Sequence, residues 1–482
     1  HDKALVSADE ALSRDPLFAE AWLLKAEVWV ETKENAQALM AYRKALRLAP
    51  ARFPAALLSL AGMEMSAALY DSALARYDAY LGLRVPEAGR NKALAGRASA
   101  SFAVKAVKHP VPFDPSNLGE GVNTADDEFV NAISTDASQL FFTVKLPSGR
   151  TYPDGQPALT EDFYMADLRG DAWGSRRALS GNINTSGNEG ALTLSADGRY
   201  LFFAGCDRPG GLGSCDIYYS ILRNGVWEMP RNLKQPVNSP RWDSQPSFSS
   251  DGRTLFFAST RQGTRGSSDL WMSRVGEDGS WSEPVNLGDQ VNTTGQETSP
   301  LIHPDGQTLY FASDGHPGLG GLDLYFSRRQ PDGSWGAAIN LGYPINTASD
   351  ELALIVDASG AWAYFSSDKL GGAGKHDIYR FPLYPEARPL AVTYMKGKVT
   401  DKESGAPVHA RFRLTDLDSG EAKVESWSDR ESGEFLVCIP SEKEYGLNVS
   451  AEGYLFHSEH FFLPGGHVEH DPYRRDVQLS KL

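Results

Sequence analysis

The residues Val291-Asn292-Thr293-Thr-Gly-Gln-Glu297 open a unit that recurs along the chain. Val or Ile, then Asn, then Thr or Ser, stands at Val122-Asn123-Thr124, Ile183-Asn184-Thr185, Val237-Asn238-Ser239, Val291-Asn292-Thr293 and Ile345-Asn346-Thr347. Successive asparagines are 61, 54, 54 and 54 residues apart. A fixed period of this size indicates a repeat architecture.

Two further features keep the same register in all five copies. An acid lies five positions after each asparagine, at Glu128, Glu189, Asp243, Glu297 and Glu351. An aromatic residue lies nineteen positions after it, at Phe142, Phe203, Phe257, Phe311 and Phe365. Features that keep one register across five copies exclude coincidence, and each copy therefore defines one structural unit.

Each unit predicts four strands. An Asp-Gly turn such as Asp251-Gly252 favours a hairpin between the first two strands, because glycine accepts a positive φ. A glycine-rich loop then leads to a third strand that opens with an acid, at Asp162, Asp216, Asp269, Asp323 and Asp377. A turn and a tryptophan precede the fourth strand, as at Trp281 and Val285-Asn286. Four-stranded units repeated radially predict a β-propeller.

The two ends of the repeat region predict how the ring closes. The fifth unit has no tryptophan and no Asn-Leu-Gly strand after Phe381, and an orphan Asn117-Leu118-Gly119 precedes the first unit. We expect the segment Phe113 to Gly119 to supply the outer strand of the last blade. The prediction is a five-bladed ring without an open sheet edge at the join.

These units resemble the WD40-like PD40 repeats, through phrases such as Ser-x-Asp-Gly-x-x-Leu-Phe-Phe-Ala and Gly-Gly-x-Asp-Leu-Tyr. The resemblance implies the propeller architecture for residues 110–389 and no particular activity.

Composition is ordinary for a globular protein of 482 residues, with 41% hydrophobic and 23% charged residues. The net charge of −15 argues against a nucleic-acid partner, since phosphate neutralisation needs a basic face. No apolar run reaches the length of a membrane span. The chain begins at His1 within a helical pattern, so we expect a fragment or a mature piece, for which a missing signal peptide is uninformative.

Cys206 and Cys215 flank a short loop between two predicted strands. The ends of such a loop lie close enough for a disulfide, which would clamp the loop in an oxidising compartment. Two unpaired buried thiols are the alternative. The third cysteine, Cys438, lies in an apolar run and is interpreted as a core residue.

Residues 1–109 are predicted to be helical. Large and small residues alternate there with the spacing of tetratricopeptide repeats, which the segment resembles, at Trp22, Ala26, Trp29, Ala38, Tyr42 and Ala45. Such arrays present a concave surface that binds a peptide or a helix. Candidate partner-binding residues are Lys25, Glu27 and Arg52, and a purely structural spacer is the alternative.

The first repeat unit is longer than the others because of the extra residues Pro147 to Gly155. An insertion in one repeat is expected to be a surface loop, often on a binding face. A neutral insertion is the alternative.

From about Tyr394 the pattern changes to apolar alternation with Gly and Pro at the turns, which predicts a small β-sandwich over residues 390–482. The order Gly397-x-Val-x-Asp401, Pro407-Val408, Gly433-x-Phe435 and Gly453-Tyr454 resembles the carboxypeptidase regulatory-like domain, which implies a transthyretin-like fold.

Motifs for catalysis are missing from the sequence: it has no Gly-x-Ser-x-Gly elbow, no His-Glu-x-x-His helix and no phosphate-binding loop. We therefore predict no catalytic residues, no cofactor and no enzymatic activity. The first-strand acids recur in every copy, which favours structural hydrogen bonding, with cation binding as the alternative. His457, His460, His467 and His470 are weak metal candidates beside the alternative of exposed strand-edge residues.

The order of helical repeats, PD40 propeller and regulatory-like sandwich resembles the PorE-like family of periplasmic lipoproteins of the type IX secretion system. The resemblance implies a non-enzymatic scaffold in the periplasm, tethered to the outer membrane, with other envelope or secretion-system proteins as partners. Family members usually continue into an OmpA-like domain that binds peptidoglycan, and this chain stops at Leu482 after the sandwich. A glycan- or peptide-binding module that uses the propeller or the sandwich is the alternative.

Overall fold

A computed structural model describes residues 1–50, 52–151, 155, 157–179, 182–185, 187–276, 278–420, 422–441, 443–463 and 473–482. The chain divides into two compact units. The helical unit comprises His1–Val111, Asp314–Asp323 and Asn340–Glu351. The sheet unit comprises Pro112–Ser313, Leu324–Ile339 and Leu352–Leu482.

Six α-helices are present among the described residues, and each packs against the next along the chain. They are α1 (Asp2–Arg14), α2 (Ala19–Glu31), α3 (Asn35–Leu48), α4 (Pro54–Ser66), α5 (Tyr70–Leu81) and α6 (Glu87–Lys108). Buried alanines such as Ala26 and Ala73 bring the helices close, and Tyr42 and Tyr77 fill the space between them. Leu319, from a loop of the repeat region, is completely buried in the same core. None of these helices is both long and apolar enough to cross a membrane.

Two glycines of α6 permit an especially close approach of α5. A Cβ atom at Gly96 would overlap the Tyr77 ring, and one at Gly89 would overlap the Tyr80 hydroxyl. Only glycine leaves that space free. The tyrosines therefore set the distance between the last two helices.

The described residues of the repeat region form five antiparallel sheets. We number these sheets 1 to 5 in chain order. The strand β1 (Ser116–Asn117) precedes the repeats and belongs to sheet 5. Sheet 1 contains β2 (Asp127–Ile133), β3 (Gln139–Thr151), β4 (Pro157–Arg169), β5 (Ala172–Trp173) and β6 (Arg177–Ala178). Sheet 2 contains β7 (Asn188–Leu194), β8 (Tyr200–Cys206), β9 (Cys215–Arg223), β10 (Val226–Trp227) and β11 (Arg231–Asn232).

The other three sheets follow in the same order. Sheet 3 contains β12 (Asp243–Phe248), β13 (Thr254–Ser259), β14 (Asp269–Arg274) and β15 (Val285–Asn286). Sheet 4 contains β16 (Glu297–Ile302), β17 (Thr308–Ser313), β18 (Asp323–Arg328) and β19 (Ile339–Asn340). Sheet 5 contains β20 (Leu354–Val356), β21 (Trp362–Ser367), β22 (Asp377–Pro382) and β1.

The first strands of the five sheets contact one another in a closed circuit, β2 with β7, β7 with β12, β12 with β16, β16 with β20 and β20 with β2. This is the arrangement of a β-propeller. β1 pairs with β22 in the register Ser116↔Arg380 and Asn117↔Tyr379. The segment before the first repeat thus completes the last sheet, and no sheet edge is left open at that position.

The extra residues of the first repeat lengthen a hairpin. β3 and β4 each have 13 residues, and their pairing continues through Leu146↔Thr160 and Pro147↔Leu159 to Thr151↔Pro157. Most of the described insertion is therefore strand, whereas the sequence suggests a loop. The difference arises because the added residues can continue the existing antiparallel ladder.

After the one-turn 3₁₀ helix Pro385–Ala387, the part of the chain that the structure describes forms two four-stranded sheets. Their strands are β23 (Val392–Asp401), β24 (Arg411–Asp416), β25 (Ala422–Trp427), β26 (Glu434–Pro440), β27 (Lys443–Ser450), β28 (His457–Leu463), β29 (Tyr473–Arg474) and β30 (Val477–Leu479). One sheet has β23 between β26 on one side and β29 and β30 on the other, and the other sheet has the order β25-β24-β27-β28. The two sheets share one core, which includes Met395, Phe412 and Tyr445.

This C-terminal pair of sheets is attached to the turns of sheets 2 and 5. Val392, Tyr394 and Cys438 pack with Ala196 and Ala358, which lie in those turns. Val392 N also donates to Ala358 O at 3.3 Å. Apolar burial and main-chain bonding therefore hold the C-terminal sheets on one end of the ring.

Candidate functional site

The first-strand acids bind the start of their own repeat. Thr293 donates its N–H and its hydroxyl to the two carboxylate oxygens of Glu297, at 2.8 and 2.7 Å. The residue four positions before the acid donates in the same way to Glu128, Glu189 and Glu351. Ser239 donates its N–H and its hydroxyl to Oδ2 of Asp243, whose Oδ1 accepts the Ser259 hydroxyl. Four of the five acids are completely buried, and Glu351 is partly buried. Both oxygens of each acid are therefore used inside the fold.

Among the described residues, an arginine pairs with the first-strand acid of sheet 1, of sheet 2 and of sheet 3. Arg176 contacts Glu128, Arg208 contacts Glu189 and Arg261 contacts Asp243, each at 2.6 Å. The attraction between arginine and carboxylate offsets part of the free-energy cost of removing each charge from water. The sequence gives only a weak signal for these arginines. Arg208 and Arg261 both follow a second strand, but their distances along the sequence from the preceding aromatic residue differ.

The third-strand acids organise the loop before them. Asp269 accepts the N–H groups of Arg265 and Gly266 at 2.9 and 3.2 Å, and the side-chain amide of Asn286 at 2.7 Å. Asp216 and Asp377 have the same three kinds of donor. Gly266 must be glycine because a Cβ atom would overlap the carbonyl oxygen of Gly295 in the next loop.

Asparagines continue this network. Asn286 Oδ1 accepts the side-chain amide of Asn292 at 2.9 Å. Asn292, the asparagine of the opening phrase, also accepts Leu270 N at 2.8 Å and donates to Leu270 O at 2.9 Å. Because Leu270 directly follows the third-strand acid, the opening phrase is bonded to the middle of its neighbouring sheet. The repeated residues are thus connected from one sheet to the next.

Asp162 is the exception in this series. Ala178 occupies the position of Asn286, and the residues three and four before Asp162 belong to β4 rather than to a loop. Asp162 Oδ1 is buried and has no hydrogen-bond partner among the described residues. Burial, and then the nearby Glu189 carboxylate, raise the pKa of Asp162 above its usual value.

Asp323 is the corresponding acid within the helical unit. It accepts Leu319 N at 2.5 Å and the Asn340 side chain at 3.0 Å, while its Oδ1 is buried and has no partner among the described residues. Burial, with a further contribution from Glu351, raises the pKa of Asp323 to about 7. Tyr70 of α5 lies near both carboxylates; burial and their charges raise the pKa of its hydroxyl to about 12.

Two of the predicted partner-binding residues of the helical unit, Lys25 and Arg52, form ion pairs. Lys25 Nζ contacts Asp9 Oδ1 at 2.5 Å and lies over the Trp29 ring at 4.7 Å. Arg52 is paired with Glu20 in front of α4, and Glu27 is exposed on α2. Their role in partner binding stays a prediction.

Of the four candidate metal-binding histidines, His467 and His470 lie outside the described residues. His457 and His460 lie on β28, where His460 is exposed and His457 is 3.6 Å from Glu459. Glu459 is paired with Arg475 through two contacts of 2.6 and 2.7 Å. No group of three or more potential metal ligands occurs within the part of the chain that the structure describes.

The cysteines have distinct roles. Cys206 and Cys215 are joined by a disulfide across the loop between β8 and β9, with a Cα–Cα distance of 4.0 Å. Cys438 is buried, and burial raises the pKa of its thiol to about 12. A thiol that stays protonated is a poor nucleophile, so Cys438 acts as a packing residue.

A cavity of about 520 Å³ lies between the turns of the ring and the C-terminal sheets. Its floor is formed by the first strands of all five sheets, and Tyr394, Lys396, Leu436 and Arg474 line the opposite side. Side-chain hydroxyls provide much of its polar lining, at Ser134, Thr135, Thr193, Ser195, Ser247 and Ser250. Sequence reasoning missed this site, because Lys396 and Arg474 are neighbours only through the parallel pairing of β23 with β29.

Comparison with protein-family models and with curated proteins gives no match. Solved structures that resemble the chain include a TolB-like protein from Agrobacterium tumefaciens, with 19% identity, a TM-score of 0.28, and coverage of 54% of this chain and 90% of that one. An endo-arabinase from Bacteroides thetaiotaomicron has 13% identity, a TM-score of 0.36, and coverage of 54% and 95%. At these TM-scores the likeness is too distant to assign an activity.

Proposed function

We propose that the chain is a non-enzymatic scaffold of a cell-envelope machine, of the kind found in type IX secretion. In this proposal residues 1–109 are a tetratricopeptide array, residues 110–389 a five-bladed PD40-type propeller and residues 390–482 a carboxypeptidase regulatory-like sandwich. The six consecutive helices, the five sheets in a closed circuit and the two C-terminal sheets with one core support these assignments.

The observation that carries the proposal is the use of the recurring acids. Each first-strand acid accepts both the N–H and the hydroxyl of the residue four positions earlier, as Glu297 does from Thr293. Groups that hold every repeat in the same way build a scaffold, because a reaction needs one distinct constellation. We therefore assign a structural role to these carboxylates and infer that partners bind at the surface of the chain.

The helical unit offers apolar side chains for protein contacts. Met40, Leu17 and Val6 are 64%, 66% and 58% exposed. Tetratricopeptide-like arrays bind peptide or helical segments of other proteins through such surfaces. Other envelope or secretion-system proteins are the partners that the PorE-like resemblance implies.

The periplasm is the proposed location. A disulfide such as Cys206–Cys215 persists in an oxidising compartment. Tethering to the outer membrane and a link to peptidoglycan belong to the same proposal. The link to peptidoglycan would require an OmpA-like domain such as PorE-like proteins have.

Capture of partners from chemically crosslinked cell envelopes tests the scaffold. The bait is the full chain, since removal of residues 1–109 would uncover Leu319. Leu24→Glu with Met40→Glu changes exposed residues of α2 and α3, and Met229→Glu is the control because Met229 is 70% exposed on the sheet unit. We expect a discrete envelope protein to be lost with the double variant alone. Failure of the intact chain to retain any envelope protein contradicts the scaffold.

A second candidate function is recognition of a small glycan or peptide by the sheets. The polar cavity of about 520 Å³ favours it, because ligand sites are concave and contain a few converging polar groups. Retention of a glycan or peptide by a chain that captures no protein would support this function in place of the scaffold.

A further inference from the structure

The cavity on the ring has two cations side by side. Lys396 on β23 and Arg474 on β29 are directly paired in a parallel register, and both line the cavity. Both residues are exposed, and neither forms an ion pair with any described residue. Like charges directly opposite on neighbouring strands are destabilising. An anion between them would remove that repulsion.

The acids of the cavity accept hydrogen bonds within their own turns. Asp136 Oδ1 accepts the hydroxyls of Ser134 and Ser138 at 2.6 and 2.7 Å, which belong to its own turn. Asp197 accepts the Ser195 hydroxyl and Arg199 N in the equivalent turn of sheet 2. These two carboxylates shape the turns that form the floor of the cavity.

The wall that carries the two cations is fixed to the ring. Arg199, in the turn of sheet 2, contacts Asp429 and Glu434 at 2.8 Å each, and donates to Ser432 at 2.7 Å. Together with the apolar packing around Tyr394, these contacts hold β23 above the first strands. A site with its charged groups already in place loses less entropy when it binds a ligand.

We propose that this cavity binds a small organic anion, with its carboxylate or phosphate group between Lys396 and Arg474. The hydroxyls of Thr193 and Ser247 accept the Phe248 and Ile302 N–H groups, and each keeps an O–H that can donate to the polar remainder of the ligand. A cavity of about 520 Å³ accommodates a molecule of monosaccharide or dipeptide size. This inference rests on the second candidate function, ligand recognition by the sheets, and is independent of the scaffold.

Isothermal titration calorimetry with the full chain tests the site. The probes are glucuronate, glucose as its neutral counterpart, acetyl-dialanine as a peptide carboxylate, and inorganic phosphate. The variants are Lys396→Gln and Arg474→Gln, and Lys398→Gln is the matched control because Lys398 lies on the same strand and is exposed outside the cavity lining. Unchanged unfolding temperatures establish that the variants are folded.

We expect at least one anionic probe to bind and glucose to bind at least tenfold more weakly. Lys396→Gln and Arg474→Gln should each lower the affinity for the anion about tenfold or more, in line with the loss of a charged hydrogen bond. Lys398→Gln should leave the affinity unchanged. Equal binding of glucose and glucuronate, or equal losses in all three variants, overturns the anion site and leaves ligand recognition standing. Absence of binding by all four probes overturns both.

Discussion

Sheets 1 and 3 contain the same acid at the same place with different surroundings. In sheet 3, Asp269 accepts two loop N–H groups and the Asn286 side chain. In sheet 1, Asp162 has neither that loop nor that asparagine, and its buried Oδ1 has no partner among the described residues. A repeated sequence thus fixes where a charge lies, and the neighbouring residues decide whether the charge stabilises the sheet.

The largest effect is expected from the loss of a cation in sheet 3. Arg261→Gln leaves the completely buried Asp243 without its ion pair, which should cost about 3 to 5 kcal/mol. Amide hydrogen exchange of β12 and β13 measures the loss in that sheet. Arg241→Gln, at an exposed arginine nearby, should leave the exchange unchanged. Equal protection in both variants would show that the buried pair contributes no stability.

The pH dependence of the helical unit extends the comparison to Asp323. Its pKa is about 7 in the folded chain against a usual value of 3.8, so the folded state binds the proton more tightly. The contribution of Asp323 to the free energy of unfolding is then fully present below about pH 4 and is lost as the pH rises through 7. The loss amounts to a few kcal/mol, since each pKa unit corresponds to about 1.4 kcal/mol. Denaturant unfolding followed by helical circular dichroism measures the change.

Asp323→Asn provides the control for that titration, because it has no proton to lose. We expect the stability of this variant to vary less between pH 4 and pH 7 than that of the unaltered chain. Identical pH profiles would assign the dependence to other groups.

Asn286→Ala should make sheet 3 similar to sheet 1. The change removes the donor to Asp269 and the acceptor for Gly288 N and Asn292, and should cost about 2 kcal/mol. Exchange of the β14 amides reports the loss. Gln262→Ala, which removes an exposed side-chain amide, serves as the comparison. An equal loss of amide protection in Gln262→Ala would contradict the role of the network formed by Asp269, Asn286 and Asn292.

The reverse change, Ala178→Asn, has the smallest expected effect. An asparagine at this position can donate to Asp162, so it should lower the pKa of Asp162 and stabilise sheet 1 by about 1 kcal/mol. The pKa is measured by nuclear magnetic resonance of the Asp162 carboxyl carbon. Combined with Asp162→Asn, the substitution should lose its benefit, and retention of the full gain would mean that the two residues do not interact.

The sequence predicts much of this framework. The period locates the first-strand and third-strand acids, and Asn117-Leu118-Gly119 indicates the strand that pairs with β22. Ala178-Leu179-Ser180, which stands where the other repeats have Asn-Leu-Gly or Asn-Leu-Lys, is a visible signal that Asp162 lacks the asparagine donor. Local patterns suffice here because each unit repeats its own hydrogen bonds.

Other features depend on contacts between residues far apart in sequence. The burial of Leu319 among the helices has no local signal, because a glycine-rich loop predicts exposure. Lys396 and Arg474 are brought together by a two-residue parallel strand, for which the sequence offers no pattern. The inserted hairpin is ambiguous for a related reason, since extended residues can form either a strand or a loop.

The pairing of β1 with β22 also affects synthesis of the chain. Ser116 and Arg380 are 264 residues apart, so four complete sheets can be made before the fifth receives both of its ends. Closure of so long a segment is slow and costs entropy. Until residue 380 has emerged, β1 has an unpaired edge that is open to strands of other chains. A chaperone that covers this edge during synthesis would therefore raise the yield of closed rings.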